Sequence, residues 1–312
     1  MIRNGLLLSL LCTASFTLFS YVSFVDFDDS MGVQQYQHII EKHNNKLLLD
    51  LFKQLYQWNM KNIPQRNGDQ LRIPKLMHHI WFGVPFSQEF KRLRKTWLDR
   101  HTDWTFIFWT DRPINDPDAY CVYSFQELEV VLEQGMHKRI VVDVHALEFD
   151  NRYMFDATKN YGERSDILKW EVVYRYGGVY IDTDFECYQP LDPLHELFDF
   201  YTGLQPLDTG RVQLGAALFA AHPHHTILAR CVSDARPGSG PIVIRTGPIH
   251  FTHCLVKAIG TALGRNIVLP SSYFYPCGYE QQNVPEEVWR TQEAFGVHHW
   301  SGSWLKPEGR VQ

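Results

Sequence analysis

The stretch RSDILKWEVVYRYGGVYIDTDFECYQPLDPL, residues 164–194, decides the fold of this chain. Residues 167–176 are apolar on nearly every side, a pattern that predicts a fully buried helix. Gly177-Gly178 ends this helix, since glycine readily adopts the left-handed conformation that terminates helices. Residues 179–181 then predict a short buried strand, which runs directly into the polar sequence Asp182-Thr183-Asp184. The acids of this stretch are therefore placed where a buried strand ends.

The residues before this stretch also alternate between strand and helix patterns. Residues 75–82 and 104–109 are apolar runs that predict strands, and residues 87–100 between them predict a helix with a basic face. Strand, helix and strand in this order favour a parallel sheet covered by helices, so the predicted fold class is α/β. The remaining pattern predicts a strand over residues 212–221 and helices over residues 34–58, 125–135, 141–161, 165–176, 224–235 and 246–259.

Composition excludes several classes of protein. A chain of 312 residues with 45% hydrophobic residues can build a full core, and a net charge of −5 leaves no basic footprint for nucleic acid. The sequence lacks the motif G-x-x-x-x-G-K-[ST], a strand-linked G-x-G-x-x-G and the hydrolase elbow G-x-S-x-G. Of the six cysteines, Cys12 lies in an apolar N-terminal segment. The odd number left in the body predicts at least one free thiol or an intermolecular bridge.

The N-terminal residues predict a membrane segment. Residues 5–25 carry no charge and have about the length needed to span a bilayer, as in a signal anchor or a cleaved signal peptide. Arg3 precedes this segment and acids follow it, so the body is predicted to lie outside the cytoplasm. We predict an anchor or signal peptide over residues 1–25, a helical stem and linker over 26–72, and the catalytic domain over 73–312. This is the layout of a single-pass type II membrane protein, in the lumen of the Golgi or another endomembrane if the source is eukaryotic, and otherwise membrane-associated or secreted.

Asp182 and Asp184 are the sharpest chemical feature of the sequence. One residue apart on an extended segment, the two carboxylates would point the same way, at the end of a strand where open α/β sheets bind ligands. Two crowded acids repel one another unless a cation or a proton lies between them. Oxygen ligands of this kind suit Mg²⁺ or Mn²⁺ bridging a diphosphate. A calcium loop would need glycine at Cys187 and glutamate at Pro193, so the spacing excludes it.

Four blocks of the sequence resemble the family 32 glycosyltransferases, which contain a DXD sugar-binding region. They are residues 164–194, residues 73–83 (IPKLMHHIWFG), Thr246-Gly247-Pro248 and residues 298–304 (HHWSGSW). The family includes initiation mannosyltransferases and inositol-phosphoceramide mannosyltransferases, and the large clostridial glucosylating toxins share its core. The resemblance implies a GT-A type fold, in which helices flank a mainly parallel central sheet.

The reaction that the resemblance implies is the transfer of a hexose, with mannose foremost, from a nucleotide-diphosphate sugar. The donor would be GDP-mannose or a UDP-hexose, the acceptor a glycan or glycolipid, and the anomeric configuration would be retained. Mn²⁺ or Mg²⁺ would stabilise charge on the leaving diphosphate as a Lewis acid. Because the sequence offers no assured pair of acids for a double displacement, we expect front-face attack by the acceptor hydroxyl, with the leaving phosphate taking the proton.

The resemblance also implies roles for individual residues. Asp184 would bind the metal directly, and Asp182 would lie at the ribose and donor sugar, with contact to the metal through water. His298 or His299 would complete the metal site, because the closing segment folds back over the donor. Asp166 would bond hydroxyls of the donor sugar, unless it is only an acid in the first turn of its helix. The predicted catalytic residues are thus Asp166, Asp182 and Asp184.

Other residues are predicted to bind the donor. Trp81 would lie against the nucleotide base, or else only in the core, and Tyr180 alternates with Asp182 along its strand and faces either the donor or the core. Lys169 stands where the family usually has arginine, and it could also be a solvated helix charge. An ammonium group is a point charge whereas a guanidinium grips two oxygens, so the choice of sugar stays open. The resemblance assigns the diphosphate contacts to Ser301, Ser303 and Trp304.

Several histidines have plainer explanations than a metal site. At least one of His78 and His79 is predicted to be structural, because neighbouring residues of a strand face opposite sides. The group His222, His224 and His225 is predicted to cap a helix. For the whole protein, one alternative is a non-catalytic glycan- or nucleotide-sugar-binding protein on the same fold. The other is a glycoside hydrolase, which needs two carboxylates and no metal.

Overall fold

The structure is a computed structural model that describes residues 22–42, 44–63, 71–112, 116–262 and 264–302. Most of the predicted membrane segment, with Cys12, lies outside these residues, as do residues 43 and 64–70 of the predicted stem and linker. No helix within the described part combines the length and the apolar character needed to cross a bilayer.

Twelve helices and ten strands are formed by the described residues. The strands are β1 (Leu76–Trp81), β2 (Thr105–Thr110), β3 (Tyr120–Val122), β4 (Arg139–Asp143), β5 (Gly178–Ile181), β6 (Phe185–Cys187), β7 (Phe200–Leu204), β8 (Leu214–Ala221), β9 (Asn266–Leu269) and β10 (Gly296–His298). The helices are α1 (Phe27–Met31), α2 (Gln37–Ile40), α3 (Asn45–Lys61), α4 (Gln88–Arg100), α5 (Phe125–Gln134), α6 (Arg152–Ala157), α7 (Tyr161–Tyr176), α8 (Asp192–Leu197), α9 (Thr226–Ser233), α10 (Ile242–Arg245), α11 (Pro248–Ala258) and α12 (Glu286–Trp289).

Eight of the strands form one central sheet, in the order β3-β4-β2-β1-β5-β8-β7-β9. All neighbours pair in parallel except β8, which runs antiparallel to both β5 and β7. Parallel strands require crossover connections, and here helices provide them, so both faces of the sheet are covered. The predicted α/β fold, with a mainly parallel sheet flanked by helices, is confirmed.

The predicted strands at the centre of this sheet are confirmed, and their burial explains why the sequence alone predicted them. All four residues of β5 are buried, as are the four inner residues of β1. Strands covered on both faces are continuous apolar runs instead of alternating patterns. Large aromatic side chains fill the adjoining layers, with Trp97, Trp104 and Trp109 fully buried.

Two helix predictions in the middle of the chain need correction. Residues 141–161 do not form one helix: β4 ends at Asp143 and only α6 is helical. The segment Ile140-Val141-Val142 is β-branched and completes the parallel ladder between β2 and β3, so tertiary pairing outweighs the helical periodicity. Helix α7 begins at Tyr161 instead of Ser165, because the Asn160 side chain accepts a bond from the Glu163 backbone and caps it. Asp166 therefore lies beyond the first turn, and it is not merely a helix-start acid.

A pair of glycines allows α7 to pass directly into β5. Gly177 ends the helix with a φ of 67°, and Gly178 begins the strand with a φ of 90°. A Cβ atom on Gly178 would lie 2.4 Å from the carbonyl oxygen of Leu76 in β1. Only glycine tolerates both the backbone conformation and this close approach. The tight connection places the end of β5, and Asp182 after it, beside α7.

The N-terminal helices pack against the sheet. The helix predicted over residues 34–58 is two helices, α2 and α3. The Asn59 side chain of α3 donates to the carbonyl of Asn266 in β9 at 2.8 Å, and the hydroxyls of Tyr56 and Tyr273 lie 3.0 Å apart. The division of the chain at residues 25 and 72 stays a prediction.

A buried acid on α7 makes the stability of the fold depend on pH. The Glu171 carboxylate accepts from the backbone and side chain of Asn151 at 2.9 and 3.0 Å, and burial raises the pKa of Glu171 from 4.5 to about 7. The folded state therefore holds a proton that the unfolded state releases. This contribution to stability is complete below about pH 4.5 and is lost as the pH rises through 7.

Glu171→Gln is accordingly expected to stabilise the fold at pH 8 by about 2 kcal/mol and to change little at pH 5. The amide keeps an oxygen for Asn151 but cannot ionise. Urea unfolding of the variant and the parent at both pH values measures the effect. Glu133→Gln is the matched control, since Glu133 is exposed. An equal effect of Glu171→Gln at both pH values would contradict the prediction.

Candidate active site

A cavity of about 670 Å³ opens where the parallel strands β1 and β5 end. It lies beside α7 and is closed on one side by the segment that follows β10. This is the edge at which open α/β sheets bind ligands. The polar and aromatic side chains that line it include Trp81, Tyr161, Asp166, Lys169, Tyr180, Asp182, Asp184, Gln205, Gln213, Tyr279, His298, Trp300 and Ser301.

The two acids of the DXD sequence converge at this edge with one histidine. Asp182 follows β5, and a tight turn carries the chain to Asp184, with the Phe185 backbone donating to the Asp182 carbonyl at 3.2 Å. The predicted extended segment is therefore a turn, which the pairing of β6 with β10 requires. Three potential ligand atoms, one from each of Asp182, Asp184 and His298, lie within 4.8 Å of one another.

The hairpin of β6 and β10 decides which histidine faces the acids. His298 is opposite Phe185 in this pair, and its Nε2 lies 3.1 Å from Oδ1 of Asp184. The His299 side chain points away from Asp184 and lies 3.0 Å from Glu186. The structure thus brings His298, but not the His299 side chain, into the acid cluster.

Each acid of the cluster is oriented by a hydroxyl group. Ser301 donates to Oδ2 of Asp184 from its backbone at 2.9 Å and from its hydroxyl at 2.7 Å. Tyr180 donates to Oδ1 of Asp182 at 2.5 Å, while its ring is buried. Tyr180 therefore belongs to both the core and the site. Ser301, predicted to contact the diphosphate, is bonded here to Asp184.

Burial and neighbouring charges move the pKa values of the two acids in opposite directions. Burial would raise the pKa of Asp184, but the facing His298 and the bonds from Ser301 hold it well below its ordinary value. Burial raises the pKa of Asp182 to about 6 despite the positive charge of Lys169. Two carboxylates and one imidazole in one buried group form a donor set that fits Mn²⁺ or Mg²⁺.

A buried ion pair forms the wall of the cavity next to this cluster. Lys169 is 3% exposed at its side chain, and its Nζ lies 2.5 Å from Oδ1 of Asp166 and donates to the carbonyl of Ala216 at 2.9 Å. The reading of Lys169 as a solvated charge is therefore wrong. Thr246 donates to Oδ2 of Asp166 at 3.4 Å, so two separate blocks of the sequence meet at this acid. Burial raises the pKa of Asp166, and the facing Lys169 opposes that shift.

Trp81 also lines the cavity. Its ring is partly exposed, packs against Phe90 at 4.9 Å between ring centroids, and donates from Nε1 to the carbonyl of Val84 at 2.8 Å. The ring therefore offers one surface to the cavity while its polar edge is already satisfied. The remaining predicted donor contacts, Ser303 and Trp304, lie outside the described residues.

Trp300 is a cavity residue that the sequence analysis missed. It has a left-handed φ of 51°, its ring lies 4.5 Å from that of His298, and its Nε1 donates to the carbonyl of Cys277 at 3.0 Å. Left-handed backbone in a bulky residue is unusual outside functional sites. Its place inside HHWSGSW was the available signal. The sequence analysis also missed three other cavity residues, Gln205, Gln213 and Tyr279, because they lie in loops and short elements that contain no motif.

Both His78 and His79 are structural, and of the group predicted to cap a helix, His225 does so. His78 and His79 are fully buried in β1 and lie 2.9 Å from the carbonyl oxygens of Gly177 and Ile181. His225 caps α9 by accepting a bond from the Ile227 backbone at 3.2 Å. Both strand histidines therefore support the connection between α7 and β5.

The sheet topology, the cavity and the paired acids agree with the glycosyltransferase of GT-A type that the sequence predicts. Residues 87–200 match the family described as glycosyltransferase sugar-binding region containing DXD motif. The matched segment contains the DXD sequence, and the resemblance to family 32 seen in the sequence is confirmed over these residues.

Three relatives illustrate the similarity. The chain is 24% identical over 189 residues to inositol phosphoceramide mannosyltransferase 2 of Schizosaccharomyces pombe, which covers 58% of this chain and 45% of that protein. It is 25% identical over 167 residues to a mannosyl phosphorylinositol ceramide synthase of Saccharomyces cerevisiae, covering 53% and 35%. It is 25% identical over 231 residues to human alpha-1,4-N-acetylglucosaminyltransferase, covering 68% and 65%. The chain thus spans less than half the length of the two yeast relatives.

Among solved structures, the catalytic domain of alpha-toxin from Clostridium novyi overlaps with 89% of this chain and 88% of that chain. The TM-score is 0.47 and the sequence identity 11%.

Proposed function

We propose that the protein is a metal-dependent glycosyltransferase that moves a hexose from a nucleotide-diphosphate sugar to an acceptor hydroxyl with retention of configuration. The observation that carries the proposal is the convergence of Asp182, Asp184 and His298 within 4.8 Å, beside a cavity of about 670 Å³. A hydrolase or a plain binding module has no need for such a donor set at the end of a strand.

The proposed metal ligands are Asp184 and His298, with Asp182 beside them. A bound Mn²⁺ or Mg²⁺ supplies Lewis-acid stabilisation of the charge on the leaving diphosphate. The protein holds the ligands in place: Ser301 orients the Asp184 carboxylate and Tyr180 orients the Asp182 carboxylate. Ligands held by such bonds need no rearrangement when the donor binds.

The proposed donor lies across the cavity, with its base at Trp81 and its sugar at the ion pair of Asp166 and Lys169. The Asp166 carboxylate can accept bonds from sugar hydroxyls while it is paired with Lys169. GDP-mannose is the foremost donor, because the yeast relatives are named as mannosylating enzymes. A UDP-hexose is the second candidate, and the name of the human relative supports a UDP-sugar.

Retention is proposed to follow from front-face attack. Asp166, the acid at the sugar end of the cavity, is already engaged by Lys169 at 2.5 Å and by Thr246, so it is poorly placed to act as a free nucleophile. The acceptor hydroxyl would attack on the face that the diphosphate leaves, and the leaving phosphate would take its proton. Trapping of a covalent sugar–protein adduct would contradict this path.

The acceptor and the location of the protein are also proposals. A glycan or a glycolipid is the proposed acceptor, since the names of the yeast relatives refer to inositol phosphoceramide lipids. Residues 5–25 are proposed to anchor the chain as a type II membrane protein, with the catalytic domain in the lumen of the Golgi or another endomembrane.

A panel of nucleotide sugars tests the function directly. We expect Mn²⁺-dependent release of nucleotide from GDP-mannose or from one UDP-hexose, and loss of that release in excess EDTA. Binding of nucleotide sugars without any turnover would favour the non-catalytic alternative. Full activity in EDTA would favour a glycoside hydrolase.

A further inference from the structure

A second cluster of reactive side chains lies between α9 and α11, outside the donor cavity. Cys231 comes from α9, while His250 and Cys254 come from one face of α11. One ligand atom of each, including both sulfur atoms, lie within 4.8 Å of one another. Cys231 and Cys254 are at most 1% exposed and His250 is 5% exposed.

We propose that Cys231 and Cys254 are joined by a disulfide bond in the mature protein, which links α9 to α11. The two thiols are neighbours on packed helices, and neither has a role in the donor site. A structural zinc ion is the competing use of such residues, but it is held by four ligands. In the described part of the chain, only three potential ligands meet at this point, one fewer than a structural zinc site uses.

His250 favours oxidation of Cys231 and Cys254. Its ring lies 3.6 Å from the sulfur of Cys254 and 2.9 Å from the carbonyl of Cys231. The neighbouring Cys231 and then His250 lower the pKa of Cys254 to about 6, while burial raises the pKa of Cys231 well above its ordinary value. Cys254 is therefore the thiolate of the pair, and the thiolate is the nucleophile in disulfide exchange.

The bond forms in two balanced exchange steps with a disulfide oxidant, such as oxidised glutathione or a disulfide oxidoreductase. The Cys254 thiolate attacks one sulfur of the oxidant, breaks its S–S bond and releases one thiolate. Cys231 then gives up its proton and attacks the mixed disulfide at Cys254, releasing the second thiolate. The cysteine pair loses two electrons and two protons, and the oxidant becomes two thiols.

Burial decides when this bond forms. Because neither sulfur is accessible in the folded protein, oxidation takes place late in folding, after α9 and α11 have brought His250 beside Cys254 and before the pair is covered, in a compartment that permits disulfides. The same burial then protects the bond from reductants. Cys121 is exposed. The thiols of Cys187 and Cys277 donate hydrogen bonds to the carbonyl oxygens of Gln189 and Gly278, so all three cysteines remain thiols.

The proposed disulfide bond involves α11, and α11 is connected to the donor site. Helix α11 begins at Pro248, two residues after Thr246, whose hydroxyl donates to Asp166. Trp170 of α7 donates to the carbonyl of Thr246 at 2.9 Å. A disulfide bond between α9 and α11 therefore fixes the position of α11 and of the segment around Thr246 that precedes it.

Peptide mapping tests the proposal on the full-length chain. The protein is expressed in eukaryotic cells, alkylated with N-ethylmaleimide before lysis, denatured and digested with trypsin without reductant. Cleavage after Arg230, Arg245 and Lys257 places the two cysteines on separate peptides, 231–245 and 246–257. We expect these peptides to be joined, and to separate on reduction, while Cys121, Cys187 and Cys277 carry the alkyl group. Alkylation of both Cys231 and Cys254, with or without co-purified zinc, would overturn the proposal.

Thermal unfolding provides a second measurement. The variant with both Cys231→Ala and Cys254→Ala is expected to unfold roughly 5–10 °C below the parent and to lose any response to dithiothreitol during refolding. Cys121→Ser is the matched control, because Cys121 is exposed, and it should behave as the parent. An identical response of the parent and the double variant to the reductant would count against the bond.

Discussion

Replacing Asp184 with asparagine is expected to reduce turnover of the nucleotide sugar about 1,000-fold or more without unfolding the protein. Asparagine keeps an oxygen for the two bonds from Ser301. It removes the negative charge that faces His298 at 3.1 Å and that the proposed cation requires. A metal ion contributes several kcal/mol of transition-state stabilisation, and each 1.36 kcal/mol corresponds to tenfold in rate.

Nucleotide release in the presence of Mn²⁺ measures this effect, and calorimetric titration of Mn²⁺ shows whether binding is lost with it. Asp99→Asn is the control, since Asp99 is an exposed acid paired with Lys95 on α4. A second pair of variants compares the two histidines: His298→Ala is expected to resemble Asp184→Asn, and His299→Ala to retain most activity. Full activity of Asp184→Asn would contradict the proposed metal site.

Lys169→Met is expected to destabilise the fold by about 3–5 kcal/mol, because it leaves the carboxylate of Asp166 without its partner in a site that excludes most water. The carbonyl of Ala216 loses its donor in the same substitution. For a protein of this size the loss corresponds to a decrease in Tm of roughly 6–15 °C. The effect is large because both members of the pair are buried, whereas exposed ion pairs contribute at most about 1 kcal/mol.

Chemical denaturation of four variants separates the charge effect from a packing effect. Lys169→Arg is expected to keep most of the stability, since it retains the positive charge. Combining Lys169→Met with Asp166→Asn should recover part of the loss, because the unpaired charge is gone. Lys95→Met removes an exposed pair and should cost less than about 1 kcal/mol. A cost below 1 kcal/mol for Lys169→Met would show that the pair contributes little.

The part of the fold that local sequence determined is the block from α7 to Asp184. The apolar helix, the glycine pair and the short strand depend on neighbours in the chain, so their order and position were predicted. The same holds for β1 and β2, whose continuous apolar runs reflect burial on both faces of the sheet. The segment that became β4 was mistaken for helix because short apolar runs fit both periodicities, and only pairing with β2 and β3 decides between them.

The sequence by itself thus determined the α/β class of the fold, the resemblance to family 32 and the two acids of the DXD sequence, because each depends on residues close together in the chain. Tertiary structure decided the rest: which of two adjacent histidines joins those acids, that Lys169 is buried against Asp166, and that Cys231 meets Cys254. The physical reason is that strand register and helix packing bring together residues far apart in the chain. A register shift of one residue on β10 would exchange His298 for His299, and the local sequence of that strand contains no signal for the choice.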